Sequence, residues 1–309
     1  MSIKNTDLIK NIVVLLPCHN ETASIRKTVE DFRSILPEAV IYVYDNLSID
    51  NTSEEALKGG AIVRSEQRLG KGNVVKRMFA DVDADIYLMA DGDGTYDYKS
   101  ARLMIQVLIN QNLDMVIGTR INVYKSAHRI FHGFGNQFFN NFYRVVFDQS
   151  FTDIFSGYRV FSRRFVKSFP AISTGFEIEA EMSVHASQLR LPIAEIPTSY
   201  GSRMEGTESK LRTVRDGFRI LFMLLILLKE IRPLQFFGTI ASLMFLIFMI
   251  LFIPIFSTYL ETGLVPRIPS LILSVGILMV GVVFLQSGLI LDSVARGRLE
   301  QKRMSYLKI

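Results

Sequence analysis

Between Asn11 and Gly118 the chain alternates short apolar runs with longer stretches of mixed character. Ile12–Leu16, Val40–Tyr44, Ala61–Arg64, Ile86–Ala90 and Met115–Gly118 are each too short for a helix and long enough for a buried strand. Helical stretches fill the gaps. Thr22–Leu36 begins after the polar pair Asn20-Glu21, and Ser53–Lys58 stops at Gly59-Gly60. This alternation predicts βα units and an α/β fold around a mostly parallel sheet. Ligands of such sheets bind beyond the carboxyl ends of the strands. The expected site therefore lies in the loops Pro17–Glu21, Asp45–Thr52, Asp91–Asp97 and Thr119-Arg120.

The pattern changes in the last quarter. Pro233–Leu260 and Ile268–Leu291 hold no charged residue, and each exceeds the roughly 20 apolar residues that cross a bilayer as a helix. Lys229 and Arg232 precede the first span, while Arg296, Arg298, Lys302, Arg303 and Lys308 follow the second. By the positive-inside rule both outer ends are expected to be cytoplasmic, with Glu261–Arg267 as a short hairpin on the far side. Gly217–Leu228, bracketed by Arg215, Arg219, Lys229 and Arg232, is too short to span and predicts a helix lying on the cytoplasmic face, with a core helix as the alternative. The expected organisation is a catalytic domain over 1–215, an interfacial helix over 216–232, two transmembrane helices over 233–292 and a basic tail over 293–309.

Charge and cysteine narrow the setting. The 309 residues carry a formal net charge of +5 and one cysteine, Cys18, which cannot form an intramolecular disulfide and fits a reducing compartment. Much of the basic excess lies near the spans, where it suits anionic headgroups. No aromatic-basic motif of a nucleic-acid module occurs, so a nucleic-acid partner is not expected. His128, His132 and His185 have no zinc-ligand spacing with Cys18.

Asp91-Gly92-Asp93 follows an apolar run, which presents two carboxylates at a strand end. Hard oxygen ligands spaced in this way suit Mg²⁺ or Mn²⁺ held jointly with a diphosphate. Alone, an Asp-x-Asp is more often a solvated turn. Its neighbours change that: Pro17-Cys18-His19-Asn20-Glu21 and Asp45-Asn46-Leu47-Ser48-Ile49-Asp50-Asn51-Thr52 precede it, and Gly70-Lys71-Gly72, Gly118-Thr119-Arg120, Ser156-Gly157-Tyr158-Arg159 and Arg203 with Gly206–Lys210 follow it.

That ordered set resembles glycosyltransferase family 2. With two C-terminal spans it is similar to the polyprenyl-phosphate glycosyltransferases of that family, which include the dolichol-phosphate mannose synthases. The resemblance implies a GT-A fold and inverting transfer of a sugar from a nucleotide-sugar, with uridine diphosphate preferred, to a polyprenyl phosphate at the cell membrane. It implies Asp91, Asp93 and Arg120 as catalytic residues, with Asp93 the firmer metal ligand and Asp91 the second. Pro17, His19, Glu21, Asp45, Ala90, Asp91, Arg203 and Lys210 would hold the nucleotide-sugar. Arg120, Arg129 and Ser156 would hold the acceptor phosphate, and Arg159 with Asp153 would pair to shape that side. A homo-oligomer is compatible with the sequence.

Bland alternatives stand beside these roles. Asn20 or Glu21 would start a helix, Asp45–Thr52 would form an Asx-type turn, and Arg120, Arg129 and Arg203 would make surface salt bridges. The aromatics of Phe134–Phe147 fit a membrane-facing helix and plain core equally well. Three residues depart from the family pattern: His19 replaces a frequent tyrosine, Asn46 a second aspartate, and Thr95 a glutamine that helps to hold the metal in mannose-synthase-like relatives. A transferase for a neutral lipid or glycan acceptor and an inactive membrane scaffold are the competing functions.

Overall fold

The computed structural model describes residues 11–121, 151–201, 222, 225–226 and 228–309. They fall into two compact units, one taking the residues up to 217 together with Lys302–Ile309, the other residues 218–301. The first unit is built on a seven-stranded sheet. In chain order it runs β1 (Ile12–Cys18), α1 (Ile25–Ile35), β2 (Val40–Asp45), α2 (Thr52–Lys58), β3 (Ile62–Ser65), α3 (Lys71–Asp81), β4 (Ile86–Met89), a 3₁₀ turn (Tyr98–Ser100) and α4 (Ala101–Asn110). β5 (Met115–Ile121), β6 (Arg159–Ser162), α5 (Arg163–Ser168), α6 (Ile178–Leu189) and β7 (Ile193–Ser199) follow.

The strand order is β3-β2-β1-β4-β6-β5-β7. β6 runs antiparallel to β4 and β5, and the other pairs are parallel. Central β1 and β4 are almost wholly buried, as their unbroken apolar runs require of strands covered on both faces. α1 turns Ile25, Thr28, Val29 and Phe32 inward at helical spacing and leaves its basic and acidic residues in solvent.

The predicted strands are present, each within a few residues of its expected ends. The sequence reading had no place for β6 and β7. β7 carries Glu195 and Pro197, and as an edge strand it tolerates a proline.

The second unit holds α7 (Pro233–Thr262) and the greater part of α8 (Ile268–Leu307), both long and apolar enough to cross a membrane. Their contact is a stripe of small residues. Ser274, Gly281 and Gly288 are buried at seven-residue spacing on α8, and a Cβ on Gly281 or Gly288 would lie 3.1 Å from the Met244 Cβ or 3.0 Å from the Phe237 Cβ. Close backbone approach of this kind is what small residues supply between membrane helices. α7 ends on Gly263, whose φ of 69° closes the helix. α8 continues helical through the basic tail, whose Tyr306 hydroxyl donates to Asp114 at 2.8 Å. Of the expected interfacial helix over 216–232, the structure describes 222, 225–226 and 228–232.

Candidate active site

The carboxyl ends of β1 and β2 are laced by their own polar side chains. Asn20 N–H donates to Ser48 Oγ, Ile49 N–H to Asn20 Oδ1 and Glu21 N–H to Thr52 Oγ1, each at 2.8 Å. Asn20 and Leu47 take left-handed φ of 54° and 59° to make these turns. The His19 ring bonds the Asn46 carbonyl at 2.7 Å. Asp45 accepts from Ser48 N–H at 3.0 Å and Ser53 Oγ at 2.7 Å, which is the Asx-type turn weighed as its alternative.

Asn46 explains one departure from the family pattern. Its amide donates to the carbonyls of Glu66 and Arg68 at 3.0 and 2.8 Å and accepts from Gly70 N–H at 2.7 Å. An aspartate could accept from Gly70 but could donate to neither carbonyl. The amide therefore ties the loop before α3 to the end of β2.

At the end of β4, Ala90 is fully buried and a Cβ on Gly92 would lie 2.3 Å from Cys18 Sγ, so only glycine fits between the carboxylates. The Asp93 carboxylate is 3% exposed and accepts from Thr95 through N–H at 3.1 Å and Oγ1 at 2.6 Å. Thr95 thus orients Asp93.

Asp91 faces a different partner. The Lys71 ammonium bonds its Oδ1 and lies 2.6 Å from Glu179 Oε1. Burial works against the Lys71 charge, but Asp91 and Glu179 outweigh it and hold the ammonium protonated well above the ordinary lysine range. Burial raises the Glu179 carboxyl, with Lys71 opposing. The sequence reading noted the Gly-Lys-Gly run without a role for its lysine and missed Glu179, which stands on a helix buried over most of its length.

Next along the edge, Arg120 at the end of β5 makes a two-pronged pair with Asp153, Nε to Oδ2 and Nη2 to Oδ1 both at 2.7 Å. Its guanidinium lies 5.5 Å from the centre of the Tyr200 ring. Burial opposes its charge, and the Asp153 bonds more than compensate. The expected Arg159–Asp153 pair is not formed. Arg159 is fully buried and donates to the carbonyls of Ser156 and Ile154, both at 2.8 Å, and to Ser183 Oγ at 3.0 Å. Ser156 is also buried, its hydroxyl donating to the Gly118 carbonyl at 2.5 Å, so it shapes the turn instead of facing a ligand.

The edge therefore brings together Pro17, His19, Glu21, Asp45, Ala90, Asp91, Asp93 and Arg120. Arg129, Arg203 and Lys210 lie outside the described residues. Among the described residues no group of three or more His, Cys, Asp or Glu could hold a metal by itself.

The description "Glycosyl transferase family 2" matches residues 13–169. Protein RfbJ of Shigella flexneri is 53% identical over 124 residues, 38% of this chain and 96% of the relative. Glycosyltransferase AglJ of Haloferax volcanii is 34% identical over 74% of this chain and 76% of its own. A dolichyl-phosphate beta-glucosyltransferase of Saccharomyces cerevisiae is 26% identical over 66% of this chain and 72% of its own. Among solved structures, glucosyl-3-phosphoglycerate synthase from Mycobacterium tuberculosis, in complex with Mn²⁺, UDP and phosphoglyceric acid, superposes with a TM-score of 0.58 at 21% identity, over 71% of this chain and 78% of that one. The shared fold is GT-A. A match spanning β1 to α5, together with a relative alike over three-quarters of the sequence, establishes that the chain belongs to glycosyltransferase family 2.

Proposed function

We propose that the enzyme transfers a sugar, with inversion, from a uridine-diphosphate sugar to a polyprenyl monophosphate at the cytoplasmic face of the membrane. The observation that carries this reading is the pairing, on one sheet edge, of the Asp91-Gly92-Asp93 carboxylates with the partly buried Arg120 guanidinium beyond them. Dolichyl-phosphate glucosyltransferases among the relatives support the acceptor, and UDP in the fold neighbours supports the donor.

The chemistry suits these groups. A lipid monophosphate is already an anion, so it attacks the anomeric carbon without a strong general base as the bond to the nucleoside diphosphate breaks. Arg120 would steer that anion, with Arg129 assisting; Arg203 and Lys210 would hold the donor diphosphate. The carboxylates fit a shared metal: Asp93 is oriented by Thr95, two hard oxygen donors stand at one strand end, and diphosphate oxygens would complete the shell. Mg²⁺ or Mn²⁺ bound there would stabilise the leaving diphosphate.

The test uses the full chain in nanodiscs with UDP-sugars, undecaprenyl phosphate and Mn²⁺, measuring UDP release and lipid product. Product should require lipid phosphate and fall at least about a hundredfold in Asp93→Ala. UDP release that is supported by diacylglycerol and not by lipid phosphate would favour the neutral acceptor, and full turnover in excess chelator would remove the metal from the scheme.

A further inference from the structure

α8 does not stop at the end of its apolar stretch. It runs from Ile268 to Leu307, about 60 Å at 1.5 Å per residue, which is twice what the hydrocarbon core of a bilayer requires. Its polar end belongs to the first unit, which takes in Lys302–Ile309. Lys302 and Tyr306 stand four residues apart and so share one face of the helix. Lys302 Nζ donates to Gln188 Oε1 on α6 at 2.9 Å, and the Tyr306 hydroxyl donates to Asp114 Oδ2 at 2.8 Å.

This contact lies away from the catalytic edge. Asp114 immediately precedes β5, whose other end carries Arg120. The Asp114 side chain is fully buried; its Oδ1 accepts from Ser162 Oγ at 2.6 Å and lies 3.3 Å from Arg164 Nη2. Tyr306 supplies a donor for the other oxygen, and its ring lies 5.4 Å from the Arg164 guanidinium. Burial and the bond to Asp114 push the Tyr306 phenol up to about 12, so it keeps its proton and remains the donor. Withdrawing the tail takes a partner from a buried carboxylate, so the catalytic unit itself favours the docked end.

We propose that Lys302–Ile309 is a strap: docking of Lys302 and Tyr306 on α6 and Asp114 holds the catalytic unit to the end of α8, and transfer to an acceptor carried in a bilayer depends on that hold. The second clause rests on the polyprenyl-phosphate reading above, and the docking does not. With the tail released, the catalytic unit samples more orientations, which lowers its effective concentration at a lipid acceptor. A soluble acceptor meets it equally well in every orientation.

The experiment uses the full chain in phosphatidylcholine nanodiscs, with and without phosphatidylglycerol, and the variants Tyr306→Phe and Lys302→Ala/Tyr306→Ala. Hydrogen exchange of the tail amides reads the docking. It should quicken about tenfold in Tyr306→Phe, as loss of one hydrogen bond to a charged group gives, and further in the double variant, equally in both lipids. Transfer is measured to undecaprenyl phosphate in the disc and to a short-chain, water-soluble polyprenyl phosphate. The double variant should be about tenfold slower on the membrane-held acceptor and within about twofold of wild type on the soluble one. Tyr306→Phe keeps the ring beside Arg164, so it carries the test if the double variant folds poorly.

Tail exchange that neither variant alters would overturn the docking. Protection that appears only with phosphatidylglycerol would make anionic headgroups the partner of the tail and overturn it as well. Equal losses on both acceptors would reduce the contact to stability alone, and no loss on either would remove the hold on transfer; each result overturns the proposal. A wild-type chain that transfers to neither acceptor would instead remove the functional reading beneath the second clause, with the exchange result still deciding the docking.

Discussion

Replacing Arg120 by alanine removes two charge-assisted bonds of 2.7 Å and leaves Asp153, 5% exposed, with a carboxylate facing the vacated space. Breaking one side of a buried pair costs about 3–5 kcal/mol. Because the Arg120 side chain is 22% exposed, water can enter behind the truncated residue, and the lower end of that range, about 3 kcal/mol, applies. For a domain of this size each kcal/mol moves Tm by about 2–4 °C, so Arg120→Ala should melt about 6–12 °C below wild type. Thermal unfolding in nanodiscs measures this, and kinetics with varied undecaprenyl phosphate, run well below the lowered Tm, separates activity from folding. Acceptor KM should rise about tenfold or more with donor KM unchanged. Arg120→Met combined with Asp153→Leu should regain most of the stability and none of the acceptor affinity. A Tm equal to wild type would refute the desolvation reasoning, and unchanged acceptor kinetics would refute the role of the guanidinium.

Gly72→Ala forces a Cβ to within 2.1 Å of the Ser173 carbonyl oxygen and should cost about 1–3 kcal/mol, read as a lower Tm, whereas Gly238→Ala, with nothing within 4 Å, should not lower it. Burial, with Lys302 adding to it, pushes the His185 imidazole down to about 3. Its folded value thus lies below the unfolded value of about 6.5, so stability is complete above that pH and is lost as pH falls toward 3, by about 2 kcal/mol at pH 5. His185→Leu should flatten the slope of unfolding free energy between pH 7 and 5, and an unaltered slope would exclude this histidine as its source. A cysteine placed at Thr262 should react with an impermeant reagent only from the side opposite the catalytic domain; labelling from the cytoplasmic side alone would reverse the orientation.

Which parts of this were legible in the sequence follows from the range of the forces involved. β1 and β4 are unbroken apolar runs, so their burial could be read directly, and the loops after them had to carry the polar chemistry. The two long apolar helices were legible because composition alone decides them. β6 was not: its residues are four, they begin with a buried arginine, and their place between β4 and β5 depends on pairing that no local pattern records. The partner of Asp153 failed for the same reason, since Arg159 was expected there and only the fold turns Arg120 towards it. Glu179 meets Lys71 because two glycines allow a close backbone contact between segments far apart in the chain, a meeting that spacing along the sequence does not encode.

The reversed direction of β6 has a consequence for how such enzymes diversify. β5 leaves the sheet at Ile121 on the catalytic edge, and because β6 runs the other way the chain comes back to that same edge at Ser156–Tyr158. Ile121 and Ser156–Tyr158 therefore stand on one edge of the sheet, while β1, β2 and β4 belong to the βα units that precede them. On the proposed assignment, a change in the chain between β5 and β6 can alter the acceptor side while the βα units of β1, β2 and β4 stay as they are, so the two sides of the reaction can vary independently.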